Sequence, residues 1–179
     1  PLARGYEVDT HRAISNVALR HAGCIVHDYL KNELLLPSGY LTSAGSGTLS
    51  SRLEDGAEDE DTRNTTRPRN HFFNPVTNGG LNDIFSGTPS LQWAYDHADN
   101  QHDWHGARDR YFEFFTASSQ SARSAALGEA FFALGHVIHL CQDLGQPQHT
   151  RNDAHITYFP GAPYEDYCHN HYNTPASIT

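Results

Sequence analysis

Residues 121–149 read SARSAALGEAFFALGHVIHLCQDLGQPQH and form the most regular helical pattern in the chain. Between Ser121 and about Leu144 the apolar residues recur nearly all round the helical repeat, which is typical of a helix at the centre of a bundle. Gly145 and Pro147 follow, and residues of this kind usually end a helix. The segment therefore predicts one long central helix with a sharp turn after it.

The rest of the sequence predicts shorter helices joined by polar loops. From the spacing of apolar residues we expect helices at Thr10–Leu36, Leu49–Asp55, Ser90–Asp99, Trp104–Ala117 and Tyr164–His171. We expect Pro37–Leu49 and Asn64–Thr88 to be loops, because both are rich in residues that favour turns. No alternating strand pattern and no internal repeat is evident. The predicted fold is all-α, a single-domain helical bundle with long polar loops that spans residues 1–179.

The composition limits the classes of partner. The chain has 21 acidic and 12 basic residues and a formal charge of −9, so it lacks the positive field that attracts nucleic acid or anionic lipid. Thirteen histidines are unusually many, whereas Lys31 is the one lysine. No apolar run reaches the roughly 18 residues of a membrane span, so no transmembrane segment is predicted. The absence of methionine, even at position 1, suggests a processed chain or a fragment of a longer one.

Three cysteines leave the redox state open. Cys24, Cys141 and Cys168 form no CxxC pair, and their odd number leaves at least one thiol outside any internal disulfide. Cys24 and Cys141 fall in predicted helices, where a buried reduced thiol and a disulfide remain equal alternatives.

Polar residues on the central helix carry the clearest chemical signal. His139 and Asp143 lie four residues apart, so they project from one face about one turn apart. His136 lies on nearly the same face, and the turn after the helix can bring His149 back towards it. Such a polar stripe on an apolar helix is costly unless it is satisfied. Metal ligation would satisfy it, and a buried, hydrogen-bonded His–Asp pair is the alternative.

Three further clusters favour metal ligation over that alternative. They are His11 on the first turn of the first helix, the acidic run Glu58–Asp61 followed by Asn70–Pro75, and Asn152–His155 followed by Pro163–Tyr167. Imidazole and carboxylate are the nitrogen and oxygen ligands that zinc accepts. Each cluster alone is weak, since an acidic run is usually a solvated face. Together with the histidine excess they indicate a metal centre.

The order of these motifs resembles the zinc-dependent phospholipase C and S1/P1 nuclease superfamily, particularly its bacterial phospholipase-C-like branch. The matching motifs run from about residue 9 to 168 and are Thr10-His11, Gly56-Ala57 with Glu60-Asp61, Asn70–Pro75, Leu134–His149, Asn152–His155 and Tyr164–Tyr167. The resemblance implies a helical bundle around a multi-zinc cleft, with two to three Zn²⁺ ions as the cofactor.

The resemblance also implies which residues hold three ions. In order, the ligand sets would be Asp61, His71, His139 and Asp143; His149, His155 and Glu165; and His11, the second oxygen of Asp143 and the backbone amine and carbonyl of Pro1. Asp143 suits the bridging position because a carboxylate can span two cations, which an imidazole cannot. Members of the family commonly begin with tryptophan where this chain has Pro1.

The activity that this resemblance implies is zinc-dependent hydrolysis of a phosphodiester, of phospholipase C type, by in-line attack of water on phosphorus. Asp61 is expected to orient or deprotonate that water, and Phe72 and Tyr158 are expected to contact the substrate. The choice of Asp61 over the neighbouring acidic residues rests on the Glu-Asp motif. The residues expected to support the ligands are His136, Asn152 and Asp153.

Two alternatives remain open. A nuclease or 3′-nucleotidase would use the same ions, with Arg63, Arg67 and Arg69 holding a short nucleic acid. A non-catalytic protein would use the metals only to stabilise its fold or an assembly. For the phospholipase, the expected partners are a phospholipid or another phosphodiester and, transiently, a membrane surface. Such enzymes are usually exported, so a secreted or periplasmic location is expected.

The remaining histidines and aromatic residues carry less information. His97, His102 and His105 are expected on the surface or in support of the site, not in another metal centre. Because a ligating histidine must be neutral, metal is expected to leave as the pH falls below roughly 6. Four aromatic residues are expected in the core: Trp93, Trp104, Phe112 and Phe115.

Overall fold

The computed structural model describes residues 8–21, 23–62, 66–82, 86–153 and 163–171. The α-helices within these residues are α1 (Val8–His21), α2 (Gly23–Asn32), α3 (Leu49–Thr62), α4 (Ser90–Tyr95), α5 (Trp104–Thr116), α6 (Gln120–Asp143), α7 (Pro147–Arg151) and α8 (Pro163–His171). Short 3-10 helices lie at Gly39–Leu41 and Arg67–Asn70, and β1 (Ser43–Ala44) pairs antiparallel with β2 (Gly47–Thr48). The prediction of an all-α fold is confirmed.

Helix α6 lies at the centre of the bundle and packs against α1, α3, α4 and α5. The Ser119 side chain caps its first turn by accepting a hydrogen bond from the backbone N–H of Ala122. The helix ends at Asp143, close to the predicted end. One face of α6 contributes to the main apolar core, which contains Leu30, Ala44, Leu49, Leu53, Leu127 and Phe131. A separate face carries the polar residues singled out in the sequence.

Two glycines allow α3 and α6 to approach closely. A Cβ atom on Gly135 would overlap the carbonyl oxygen of Leu53, and one on Gly56 would overlap the carbonyl oxygen of Phe132. Backbone atoms cannot move aside as a flexible side chain can, so both positions require glycine. The expected helix end at Asp55, before Gly56, is therefore wrong, because that glycine serves helix packing. Helix α3 continues to Thr62 and carries the acidic run with it.

We expect Gly135→Ala to destabilise the protein, although alanine has the higher helix propensity. Overpacking of this kind typically costs ~1–3 kcal/mol. A net loss of about 2 kcal/mol would lower the Tm by ~4–8 °C for a chain of this length. Thermal unfolding followed by circular dichroism measures the shift. Gly79→Ala is the control, because the nearest atom to its Cβ would be a side-chain oxygen 3.1 Å away; equal Tm values for the two variants would contradict this account.

The first predicted helix is in fact two helices. Helix α1 ends at His21 and α2 spans Gly23–Asn32, so the prediction of one element over Thr10–Leu36 is wrong. Glycine disfavours a helix interior, which is consistent with a new helix beginning at Gly23. After α2 the chain turns, and Leu35 adopts a left-handed backbone conformation with φ 53°.

Other helix and strand boundaries differ from those predicted from the spacing of apolar residues, because local backbone geometry determines where these elements begin and end. Helix α4 ends at Tyr95 and not at Asp99, because Asp96 is extended, with φ −158°. The β1–β2 hairpin lies in a predicted loop, where no strand was expected, and turns at Gly45 with φ 63°. Helix α7 begins at Pro147, a favourable residue for the first helical position. The β1–β2 hairpin and α7 are too short to show a periodic pattern in the sequence.

Several residues that were expected inside the bundle are exposed. Trp93 is buried, whereas Trp104, Phe112 and Phe115 are exposed, so the core prediction is wrong for these three. They lie on α5, where one side of the helix is left uncovered by the described residues. Cys141 is also exposed and is free, so neither of the two alternatives considered for it, a buried thiol or a disulfide, holds.

Helix α6 is long and apolar enough to cross a membrane, with a mean hydropathy of 1.3 over its most apolar window. However, 56% of that window is buried inside the bundle. The central helix of a globular protein gives the same signature, so this is weak evidence for a span. It leaves the predicted absence of a transmembrane segment untested.

Candidate metal centre

Histidine and carboxylate side chains from separate elements meet at one buried place. Helix α6 supplies His139 and Asp143, and α3 supplies Asp61. The other members come from α1, from the segment after the second 3-10 helix and from α7: His11, His71 and His149. None of the six side chains is more than 6% exposed. The site is therefore assembled by tertiary packing around the polar face of α6.

Ion pairs between α1 and α3 fix the position of His11. Arg12, the next residue, donates to Asp55 at 2.9 Å and to Glu58 at 2.7 Å. Glu58 belongs to the acidic run Glu58–Asp61, and an acidic run alone is usually a solvated face. Part of the run therefore binds α1, while Asp61 at its end points into the cluster with its side chain buried.

Asp143 lies at the centre of the cluster. Its Oδ2 is 2.9 Å from Nδ1 of His71, 3.3 Å from Nε2 of His139 and 3.5 Å from Nδ1 of His149. Its Oδ1 is 3.4 Å from Nε2 of His11. The two carboxylate oxygens therefore face different partners, as the bridging role expected for this residue requires.

Asp61 completes the cluster from the α3 side. Its Oδ1 lies 3.6 Å from Nδ1 of His71 and 3.7 Å from Nε2 of His139. Among the residues that the structure describes, two groups have ligand atoms that all lie within 4.8 Å of one another: His71, His139 and Asp143, and His11, Asp61 and His139. Zinc–ligand bonds of about 2.0–2.2 Å place neighbouring ligand atoms of a tetrahedral ion roughly 3.3–3.6 Å apart. The nitrogen–oxygen distances around Asp143 and Asp61, 2.9–3.7 Å, lie close to that range.

In two histidines, the ring nitrogen that points away from the cluster donates a hydrogen bond to another group of the protein. Nδ1 of His139 donates to the carbonyl oxygen of Ala57 at 2.6 Å. Nδ1 of His11 lies 2.7 Å from Oε1 of Gln142, which accepts its hydrogen, and Gln142 in turn donates to Ser15 at 3.0 Å. In both rings the proton is thus held away from the cluster, and the Nε2 lone pair faces it. This second layer of contacts is the usual way to orient ligating histidines.

Several atoms at the centre lack the hydrogen bonds that their burial demands. In the described part of the chain, both oxygens of Asp61 and of Asp143, both ring nitrogens of His71 and Nε2 of His139 are buried without a well-aligned hydrogen bond. Such groups are rare in folded proteins and require an explanation. Their convergence at ligand spacing fits a cation better than a hydrogen-bonded His–Asp pair. This buried cluster can hold a metal ion.

Glu60 forms a second buried cluster directly behind the first. It is fully buried; Arg67 forms an ion pair with its Oε2, Trp93 donates to Oε1 at 2.9 Å, and His136 lies 2.5 Å from Oε2. Nε2 of His71 lies 3.4 Å from Oε1. Burial opposes ionisation of Glu60, but His136, His71 and Arg67 outweigh it and hold its pKa well below the usual range. Glu60 thus supports His71 from behind.

The cluster perturbs the pKa values of its own members. Burial opposes protonation of His71, but Asp143, Glu60 and Asp61 outweigh it and raise the pKa of His71 to about 10. Burial also opposes protonation of His139, and neighbouring carboxylates again prevail, so its pKa is raised. Burial opposes ionisation of Asp143, yet the surrounding histidines hold its pKa well below the usual range. Protons and a metal ion therefore compete for the same atoms.

We expect metal binding at pH 8 to release protons. His71, with a pKa of about 10 in the metal-free protein, is protonated at that pH and must lose its proton to bind a metal. Calorimetric titration of zinc into metal-free protein, in two buffers of different ionisation enthalpy, counts the protons. His71→Asn should release about one proton fewer than the wild type. Zinc uptake by the wild type without proton release would contradict this prediction.

The structure places the remaining predicted ligands as follows. Glu165, on α8, is buried and accepts a hydrogen bond at 2.6 Å from Gln146, at the start of α7. The same short helix carries His149, whose ring stacks on Phe72 with centroids 4.5 Å apart. Phe72 is buried, so this side chain holds a member of the cluster in place. His155, Tyr158 and Pro1 lie outside the described residues.

The three residues expected to support the metal ligands differ in whether their contacts lead to the cluster. His136 is fully buried and reaches the cluster through Glu60, and burial lowers its pKa even though Glu60 opposes that shift. Asn152 donates to the carbonyl oxygen of Gly80 at 2.7 Å and ends α7 in a left-handed conformation with φ 56°. Asp153 is exposed and pairs with Arg151 at 3.1 Å. Of the three, His136 is the one whose contacts lead to the cluster.

The sequence analysis assigned no role to two residues of the site, although it named Glu60 in the Glu-Asp motif. Gln142 precedes Asp143 on a helix whose other residues are mostly apolar, and this isolated amide was a usable signal. Glu60 lies three residues after Ala57 and seven after Leu53, on the helical face of α3 that is buried. The helix was predicted to end before that residue, so the signal could not be seen.

Comparison with models of known protein families gives no match for this sequence, and comparison with curated proteins gives none either. The fold and the site therefore define the protein by class alone: an all-α protein with a buried histidine–carboxylate cluster that can hold a metal ion.

Proposed function

We propose that this protein is a zinc-dependent phosphodiester hydrolase of phospholipase C type, with two to three Zn²⁺ ions in the cluster around Asp143. The single observation that carries the proposal is the convergence of buried imidazole and carboxylate atoms at ligand spacing. The donor set contains nitrogen and oxygen and no thiolate, which suits zinc at a hydrolytic site. The motif order of the sequence supports the choice of reaction.

The side chains divide the work in the proposed reaction. His71, His139 and Asp143 would hold one ion, and His11 with Asp61 and the other oxygen of Asp143 would hold a neighbouring one. Bound metal ions supply charge neutralisation at the phosphoryl oxygens and acidify water. Asp61 would orient the attacking water or accept its proton. Glu60 and Gln142 would keep the histidine rings aligned, as their contacts in the metal-free protein indicate.

Surface chemistry supports a lipid substrate over a nucleic acid. The net charge is −9, which opposes binding of a long polynucleotide. Exposed apolar side chains lie on α4 and α5: Leu91, Tyr95, Trp104, Phe112 and Phe115. Exposed aromatic residues of this kind favour an interface between water and lipid.

The metal content is the first test. Elemental analysis of protein purified near pH 7.5 without chelator is expected to give two to three zinc ions per chain. His139→Gln should lose most of this zinc, whereas Asp153→Asn, a change in an exposed surface pair, should keep it. A wild-type content of zero or one that added zinc does not restore would contradict the proposal.

A substrate panel then separates the three functions considered. The zinc-loaded protein is expected to hydrolyse a phosphatidylcholine micelle faster than a short single-stranded oligonucleotide or a 3′-nucleotide, and His139→Gln should hydrolyse none of them. The reverse order of rates would favour the nuclease. Full zinc occupancy without hydrolysis of any of these substrates would favour the non-catalytic, metal-stabilised protein.

A further inference from the structure

A cavity separate from the metal cluster lies beside Arg67 and Trp93, two residues that bind Glu60. It has a volume of about 390 Å³, within the usual range for ligand pockets, and its wall is mostly polar. The residues that matter for its chemistry are Arg67, Arg69, Asn70, Thr88, His97 and Asp99. None of them belongs to the predicted ligand sets or to the cluster around Asp143.

The walls of this cavity are held together by short, specific contacts. The side-chain oxygen of Asn70 accepts a hydrogen bond from the backbone N–H of Thr88 at 2.9 Å, which joins the 3-10 helix to the following loop. A Cβ atom on Gly87 would overlap the carbonyl oxygen of Arg69, so the two segments are in close contact there. The cavity is therefore framed by fixed backbone.

The orientation of hydrogen bonds makes Thr88 and Asn70 donors towards any ligand. Nδ1 of His97 accepts from the backbone N–H of Asp99 at 3.2 Å, so the ring proton is on Nε2. Nε2 lies 3.3 Å from Oγ1 of Thr88 and donates to it, which leaves the hydroxyl hydrogen of Thr88 for another acceptor. The side-chain oxygen of Asn70 already accepts a hydrogen bond from Thr88. The NH₂ group of Asn70 is therefore the part of this amide that can bind a ligand.

Two guanidinium groups add positive charge to the same wall. Arg67 binds Glu60 through Nε and Nη2, while Nη1 makes no hydrogen bond among the described residues. It also stacks on the Trp93 ring at 5.0 Å, so its position is fixed before any ligand arrives. Arg69 is exposed and makes no ion pair in the described part of the chain. Among the described residues of this wall, the carboxylate is that of Asp99, which is exposed.

We infer that this cavity binds a small tetrahedral oxyanion, either free phosphate or the phosphate group of a monoester. Guanidinium, amide and hydroxyl groups are the donors that recognise such an anion, and this cavity brings all three kinds together on one wall. The inference does not depend on the hydrolase activity proposed for the metal cluster, because it rests on a separate set of residues.

The test is an NMR titration of zinc-loaded protein, after removal of excess zinc, with inorganic phosphate and separately with glycerol 1-phosphate. Saturable shifts are expected for the Thr88 amide, the Arg69 Nε–H and the Trp93 indole N–H, which donates to Glu60. The anion that binds more tightly identifies the natural source. If neither anion shifts these signals, or if phosphate shifts only residues around Asp143, the inference is overturned.

Variants make the test specific to the cavity. Arg69→Gln is expected to weaken binding at least about tenfold, because a charge-assisted hydrogen bond is lost. Thr88→Val should also weaken it, whereas Thr88→Ser, which keeps the hydroxyl, should not. Arg20→Gln removes the same charge from an exposed residue at the end of α1 and should leave binding unchanged. Equal affinity for Arg69→Gln and Arg20→Gln would overturn the inference.

Discussion

Asp143→Asn is expected to abolish metal binding at the cluster and with it any hydrolytic activity. The substitution keeps the size of the side chain but removes a charge that four histidine rings face at 2.9–3.5 Å. A neutral amide can offer one carbonyl oxygen, so it cannot bridge two cations as a carboxylate does. We therefore expect both candidate ion positions to be affected by this one change.

The expected magnitude is large. Bound metal lowers the pKa of water from 15.7 to about 7, so its loss should reduce kcat/KM by roughly 1,000-fold or more. The zinc content should fall from two or three ions per chain to almost none. Elemental analysis and the rate with the preferred phosphodiester measure the two effects on the same preparation.

A matched control separates this effect from a general loss of acidic charge. Asp153→Asn makes the same chemical change in an exposed residue whose partner is Arg151. It should retain zinc and activity within about twofold, since surface pairs contribute little. Circular dichroism should show that both variants remain helical. Wild-type zinc content in Asp143→Asn would contradict the central role of this carboxylate.

The central helix could be predicted from the sequence because one signal dominated. Its apolar residues and the glycine and proline after it agree, and α6 spans Gln120–Asp143, close to the predicted range. The contact between α3 and α6 could not be predicted in the same way. Gly56 has the local signature of a helix end, and only the approach of the Phe132 carbonyl shows that it is a packing residue.

The residues of the candidate site also fall into two groups, those that spacing on one helix predicts and those that only the fold brings together. His139 and Asp143 belong to one helix, so their spacing alone placed them together. That His11, Asp61 and His71 join them was implied by motif order, because no local pattern shows which distant segments meet. The supporting role of Glu60 was missed since it depends on Arg67 and Trp93, which approach this residue only in the folded chain. Spacing along the sequence shows which residues share a face of one helix. Which residues of different helices are in contact can be seen only from the folded structure.

Removal of the metal is expected to destabilise the fold strongly. A ligand present at about 1,000 times its Kd stabilises the native state by ~4 kcal/mol. For a chain of this length that corresponds to a decrease of roughly 8–16 °C in Tm when a chelator removes zinc. The physical cause is the burial of Asp61, Asp143 and their histidine partners without well-aligned hydrogen bonds. Calorimetry with and without chelator, followed by zinc readdition, measures the loss and its recovery.

The pH dependence of that loss makes the test specific. In the metal-free protein, the raised pKa of His71 contributes stability that is fully present below about pH 6.5 and is lost as the pH rises towards 10. In the zinc-loaded protein the ligands must be neutral, so the metal contributes more as the pH rises. Both effects act in one direction, and the difference in Tm between the two forms should be greater at pH 8.5 than at pH 6.5. Asp143→Asn should show almost no response to chelator at either pH. A wild-type shift below about 2 °C at both values would mean that metal does not hold this cluster together.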